Sequence, residues 1–148
     1  MKALVVYDSV YGNTEQIAKA IGAAITGEVK IARAGEAGPA ELEGIDLLIV
    51  GSPTQGGRAT QAMQDFLNKT PKSSIKGINT AAFDTRISTK FVGIFGYAAG
   101  RIAKQLEKDG ANLMAPPEGF FVKGTKGPLK DGEEKRAADW VKGILERS

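Results

Sequence analysis

The chain has 148 residues, enough for one domain with a sizeable core, and no apolar run approaches the ~18 residues of a membrane span. It contains no cysteine and no histidine, which excludes disulfides, thiol chemistry, histidine general bases, Ser-His-Asp triads and most zinc sites; difficult chemistry here requires a bound cofactor. Lys and Arg outnumber Asp and Glu 20 to 17, an excess too mild to mark a nucleic-acid binder.

The opening Met-Lys-Ala-Leu-Val-Val runs straight into a strand without a cleavage pattern, and with the absence of cysteine this makes the cytoplasm the expected location. "KALVVYD" is continuously apolar, as a parallel strand covered on both faces should be. Ile17, Ile21 and Ile25, with Ala18 and Ala24, make the stripe of a first helix. "EVKIARA" alternates and reads as a second strand, and "IDLLIVGSPT" as an apolar third. Met63, Phe66 and Leu67 mark the next helix face. "INTAAFDT" is a weaker fourth strand, followed by Phe91, Phe95, Ala98, Ile102 and Leu106 at helical spacing. "ANLMAPPEGFFVKG" reads as a fifth strand interrupted by Pro116-Pro117. Ala137, Trp140, Val141, Ile144 and Leu145 form the last stripe, so Trp140 is expected to be packing. Alternating strands and helices need right-handed crossovers, which predicts a three-layer, doubly wound α/β domain over residues 1–148.

In such sheets ligands bind beyond the carboxyl ends of the strands. The first of those ends carries Ser9, Val10, Tyr11, Gly12, Asn13 and Thr14: three hydroxyls, one amide and a glycine before a helix whose first N–H groups lack partners. With the partial positive charge of the helix terminus, this suits a phosphate, although Ser, Asn and Thr also serve simply as helix caps. No Lys or Arg lies in the loop, unlike a nucleoside triphosphate site. Gly-x-Gly-x-x-Gly is absent after the first strand. "GSPTQGGR" has Walker spacing but lacks its Lys and Ser/Thr. The third strand ends Val50-Gly51-Ser52, without the Asp of a phosphorylated receiver domain. Lys123, Lys126 and Lys130 alternate with glycines and read as a solvated loop.

Together, Ser9-x-x-Gly12-Asn13-Thr14 after strand one, Ser52-Pro53-Thr54 with Gly56-Gly57 after strand three, and Phe83-Asp84-Thr85 at the end of strand four resemble the flavodoxin family across essentially the whole chain. The resemblance implies a five-stranded parallel sheet of order 2-1-3-4-5 and noncovalently bound FMN. By position, Ser9 to Thr14 would cradle the phosphate. Pro53, Thr54, Gln55, Gly56 and Gly57, with Phe83, Asp84, Thr85 and Arg86, would flank the ring. A glycine peptide in the strand-three loop would flip to accept the hydrogen gained on flavin reduction. The family often sandwiches the ring between aromatics, but neither ring loop here has one; Tyr11, Phe91 and the stem of Arg58 are candidates, as is a second copy of the chain. Arg58 and Arg86 are expected to favour the reduced, anionic flavin. The function implied is transfer of single electrons between redox partner proteins, without acid–base catalysis by side chains. The alternatives are an FMN-dependent NAD(P)H:quinone reductase and a flavodoxin-like scaffold that has lost FMN.

Overall fold

The structure is a computed structural model and describes residues 1–87 and 97–147; Phe91 and Phe95 of the predicted stripe lie outside them. Strands β1 (Lys2–Tyr7), β2 (Glu28–Arg33), β3 (Leu47–Pro53) and β4 (Asn79–Ile87) lie in the order β2-β1-β3-β4, all parallel. The fifth position is occupied by two pieces, β5 (Asn112–Leu113) and β6 (Glu118–Val122). β5 pairs with the start of β4 and β6 with its end, both parallel. Pro116-Pro117 falls between them. Two successive residues without N–H groups cannot continue the ladder, so the expected single strand divides there. The order 2-1-3-4-5 and the layered α/β class are as anticipated, with the sixth strand as the amendment.

Alternation along the central strands sorts the core into two halves. Leu4 and Val6 of β1, Leu48 and Val50 of β3 and Ala82 of β4 face one side, where α3 (Gln61–Lys69) contributes Met63, Phe66 and Leu67 and α5 (Ala98–Lys108) contributes Ile102, Ala103 and Leu106. Val5, Tyr7, Leu47, Ile49, Ala81 and Phe83 face the other, beneath Ile17, Ala18 and Ile21 of α1 (Asn13–Ala24) and Ala137, Val141 and Ile144 of α6 (Glu133–Arg147). Ile25 is the residue after α1 and is still buried. Two single-turn helices, α2 (Pro39–Leu42) and α4 (Lys72–Ile75), complete the connections, and a 3₁₀ turn (Ala34–Glu36) follows β2. Trp140 meets Phe83 and Phe120 edge to face at 6.2 and 5.9 Å, geometry that adds to simple burial. No helix among the described residues is long and apolar enough to cross a membrane.

α6 is fixed to the sheet through its first turn. The buried Glu133 carboxylate accepts the Phe121 N–H at 2.7 Å and both Arg136 Nε and Nη2, at 2.9 and 2.7 Å. Arg136 reaches on to Glu118 at 3.2 Å and lies over the Phe120 ring. The Arg136 bonds, helped by the Phe121 N–H and opposed by burial, hold Glu133 below its ordinary value of 4.5. A carboxyl depressed in the folded state stabilises fully above its unfolded value and loses that contribution as pH falls through the folded one. Unfolding free energy measured by urea titration between about pH 5 and about pH 3 should therefore fall more steeply for the parent than for Glu133→Gln. Parallel profiles would show that this carboxylate is not the titrating anchor.

Candidate functional site

The loops that follow β1, β3, β4 and β6 meet at the carboxyl edge of the sheet and line one cleft. Its walls are Ser9, Val10, Tyr11, Asn13 and Thr14 from the first loop, Pro53, Thr54 and Gln55 from the second, Thr85, Arg86 and Ile87 from β4, and Val122 and Thr125 beyond. The cleft thus gathers ten of the fifteen residues singled out from sequence. Gly12 stands at the helix terminus beside it, and Gly56 and Gly57 continue from Gln55 at its rim. Phe83 and Asp84 are fully buried and do not line it.

The first loop ends at Gly12, whose φ of 93° lies in the left-handed region that glycine enters without penalty. No side chain caps α1. Its first-turn N–H groups are therefore left without a side-chain acceptor at a terminus whose Asn13 and Thr14 line the cleft, as an anion site requires. The Ser9 hydroxyl accepts the Gly12 N–H at 3.0 Å, which leaves the hydroxyl proton for another acceptor. Thr14 Oγ1 and Thr85 Oγ1 lie 2.8 Å apart, both nearly inaccessible, and join the first loop to β4. Asn13 Nδ2 donates to the Lys126 carbonyl at 3.2 Å and brings in the segment after β6. Tyr11 and Val10 are about half exposed at the cleft, at 50% and 51%.

The second loop is a hairpin. Gln55 and Arg58 exchange backbone bonds at 2.8 and 3.0 Å around Gly56 and Gly57, with φ of 56° and 79°. Two consecutive positive φ values are what a type I′ turn demands, and glycine meets them at little cost. Arg101 Nε donates to the Gly57 carbonyl at 2.8 Å. At the hairpin base, the buried Ser52 hydroxyl accepts the Thr60 N–H at 3.0 Å and Thr54 N donates to the Thr85 carbonyl at 2.9 Å. Thr54 Oγ1 in turn accepts the Ala98 N–H at the start of α5.

Asp84 and Arg86 work as one unit. The fully buried Asp84 carboxylate takes Arg86 Nε and Nη2 at 2.7 and 2.8 Å and the Ala99 N–H at 2.9 Å. The Arg86 guanidinium lies 3.4 Å from the centre of the Tyr97 ring, and a Cβ on Gly119 would meet it, so a bare backbone is needed there. A β-region residue at one wall of the cleft is thus clamped to the first turn of α5. The charge of Arg86, expected from sequence to act on the flavin, is countered within the protein by Asp84; Arg58 is exposed at the hairpin. Phe91 lies outside the described residues.

Sequence reasoning overlooked Ile87, Val122 and Thr125 in the cleft wall, Tyr97 against Arg86, and Arg33. Arg33, at the end of β2, donates to the Ser9 carbonyl at 3.3 Å and stands 3.7 Å from Asp8 and 3.8 Å from Glu15. Glu15 also accepts from the Tyr7 hydroxyl at 3.0 Å. That bond chiefly lowers the Glu15 carboxyl against a smaller effect of burial, while burial first and the Glu15 bond second raise the Tyr7 phenol. Thr125 sits in a Lys/Gly stretch that reads locally as solvated loop; the only signal for it was its place after the last strand.

The family profile described as a flavodoxin domain matches residues 4–117. The chain belongs to the flavodoxin family. Among solved structures, a flavodoxin from the domain Archaea is 28% identical, with a TM-score of 0.83 over 99% of this chain and 98% of that one. Flavodoxin 2 from Bacillus cereus is 22% identical, with a TM-score of 0.83 over the whole of both chains. The rubredoxin oxygen:oxidoreductase of Desulfovibrio gigas is 19% identical, with a TM-score of 0.78 over 98% of this chain but 35% of that one; these last two show the fold alone. FMN is the cofactor of this flavodoxin. The residues present fit it: an uncapped helix terminus with hydroxyls turned to the same cleft suits its phosphate, and the cleft between hairpin and β4 is lined by the aliphatic and hydroxyl groups of Pro53, Thr54, Thr85 and Ile87.

Removing one member of a buried ion pair leaves the other uncompensated. Asp84→Ala is expected to cost about 3 kcal/mol in urea unfolding, and Arg86→Ala a similar amount. The double variant should lose less than the sum, because the two changes remove one shared interaction. Additive losses would show the pair to be uncoupled.

Proposed function

We propose that this flavodoxin carries single electrons between protein redox partners. The observation that carries the reading is the meeting of the uncapped α1 terminus, the Gly56-Gly57 hairpin and the Thr85–Ile87 wall at one cleft. FMN supplies one-electron redox chemistry when bound; the protein's part is to hold, orient and shield it. In this reading the Ser9 and Thr14 hydroxyls and the first N–H groups of α1 take the phosphate. When the Thr14 hydroxyl donates to it, Thr85 donates to Thr14, so one chain of bonds spans the two loops. The backbone of the hairpin and of Thr85 to Ile87 flanks the ring, with Pro53 and Thr54 beneath. Asp84 and Phe83 lie below the site: the first aligns Arg86 and α5, the second fills the core under β4. The conformational freedom of Gly56 and Gly57 allows the hairpin peptide to reorient toward the ring edge on reduction. No side chain is asked to transfer a proton.

Apoprotein titrated with FMN is expected to bind one equivalent, with a shifted flavin absorption band, at least about tenfold more tightly than riboflavin, since charge-assisted bonds to the phosphate exceed neutral ones. Protein that stays colourless on FMN addition would instead identify a scaffold that does not use the cofactor. Rapid anaerobic bleaching of the loaded protein by NADH or NADPH alone would identify a reductase and overturn the carrier reading.

A further inference from the structure

The phosphate loop contains no Lys or Arg, yet a cation reaches it from another strand. Arg33 is the last residue of β2 and lies in register with Tyr7. Its guanidinium carbon is 5.2 Å from the centre of the Tyr7 ring, which sets the direction of the side chain along the sheet edge. From there Nη1 donates to the carbonyl of Ser9, and the two ends of the fork stand near Asp8 and Glu15. Glu15 is itself fixed by the Tyr7 hydroxyl and approached by Lys19 at 3.6 Å. The fork therefore touches the strand before the loop, the loop itself and the helix after it. Without Arg33, the Ser9 carbonyl would lose that donor, Asp8 would lose its ion pair, and Glu15 would keep only Lys19 and the Tyr7 hydroxyl, all beside the place where a dianion binds.

We propose that Arg33 is the positioning residue of the phosphate site: it fixes the Ser9 turn and neutralises Asp8 and Glu15, and so makes the cleft select a flavin phosphomonoester over the unphosphorylated flavin. This rests on the FMN reading above. Each consequence of losing Arg33 has the same sign. The loop loosens, the local potential becomes more negative, and both oppose a phosphate while leaving the ring contacts in place. The Arg33 side chain is 42% exposed, so screening keeps the effect moderate.

The phosphate also provides a readout that mere loop stability does not. A phosphomonoester takes up its second proton near pH 6. The charged and titratable groups around the Arg33 fork are Tyr7 of β1, Asp8 just after it and Glu15 of α1, with Lys19 paired to Glu15 and Glu36 of the turn after β2 acting on Tyr7. With no histidine or cysteine in the chain, no side-chain class that ordinarily titrates between about pH 5.5 and about pH 7.5 is present to imitate the phosphate. A site that favours the dianion loses FMN affinity across that window; a site deprived of Arg33 loses less.

Dissociation constants for FMN and riboflavin, measured by flavin fluorescence quenching on the full chain, test this. Arg33→Gln should raise the FMN constant about tenfold and Arg33→Lys about threefold, with riboflavin changed by less than about twofold. Lys30→Gln, the same loss of charge on the same strand, should leave both constants unchanged. From about pH 7.5 to about pH 5.5 the FMN affinity of Arg33→Gln should fall less than that of the parent. Equal weakening of FMN and riboflavin, no change in either, or an unaltered pH profile would overturn the assignment. Failure of the parent to bind FMN at all would instead sink the cofactor reading beneath it.

Discussion

The site depends on one constraint, the common register of the parallel strands. Tyr7 lies beside Gly51, Gly51 beside Phe83 and Phe83 beside Glu118, so a single row of residues crosses β1, β3, β4 and β6. The strands run out together within a few residues of that row, and the loops that follow have no choice but to meet. What holds the register is the sorting of side chains between two cores. A slip of one residue in β1 would carry Val5 and Tyr7 to the α3–α5 side and Leu4 and Val6 to the α1–α6 side, against the shapes already packed there. Packing far from the cleft thus determines which loops share it.

Beyond the last ladder bonds, polar groups take over the same task. Asp8 N reaches the Gly51 carbonyl at 3.1 Å and Thr54 N reaches the Thr85 carbonyl, so the sheet hands its register on to the loops. The Thr14–Thr85 pair and the Asp84–Arg86–Ala99 cluster then tie helices α1 and α5 to β4. These are costly groups to bury and are placed where burial is nearly complete. Their bonds account for that placement: among the described residues no buried side-chain nitrogen or oxygen lacks a partner. Leaving any member of these clusters unpaired would be expensive, which favours this one arrangement of the sheet edge.

The order of strands, the two-sided helix packing and the place of the first loop at the sheet's carboxyl edge were legible because each rests on a local pattern: continuous apolar runs, fourfold spacing, and Gly-Asn-Thr before a helix. The division of the last strand was visible in Pro116-Pro117, although its two pieces read as one element. Other features were not visible, since they depend on pairs distant in sequence. Asp84 reads as a strand-end carboxylate flanking the ring until it is seen bonded to Arg86 and Ala99; nothing local says that it is buried. Arg33 closes a polar alternation in β2 and looks solvated, and only the β1–β2 register carries it to Ser9. Thr125 lies in a stretch of lysines and glycines and reaches the cleft because β6 ends beside Ile87.

The distribution of charge has a consequence for how such a site is tuned. Arg33 is matched by Asp8 and Glu15, and Arg86 by Asp84, so two guanidiniums sit beside the cleft without either presenting a bare charge to it. The two pairings differ in depth. The Asp84 carboxylate is fully buried and Arg86 only partly exposed, in surroundings where a charge cannot be removed without disturbing α5. Arg33 is partly solvated and its partners are more open, so its contribution adjusts with ionic strength. In the proposed reading the Asp84–Arg86 pair belongs to the ring wall and Arg33 with its carboxylates to the phosphate loop. Affinity for the phosphate is then the property that responds to salt and to single surface substitutions. The electrostatics at the ring wall are instead built into the folded core, where they change only if the fold does.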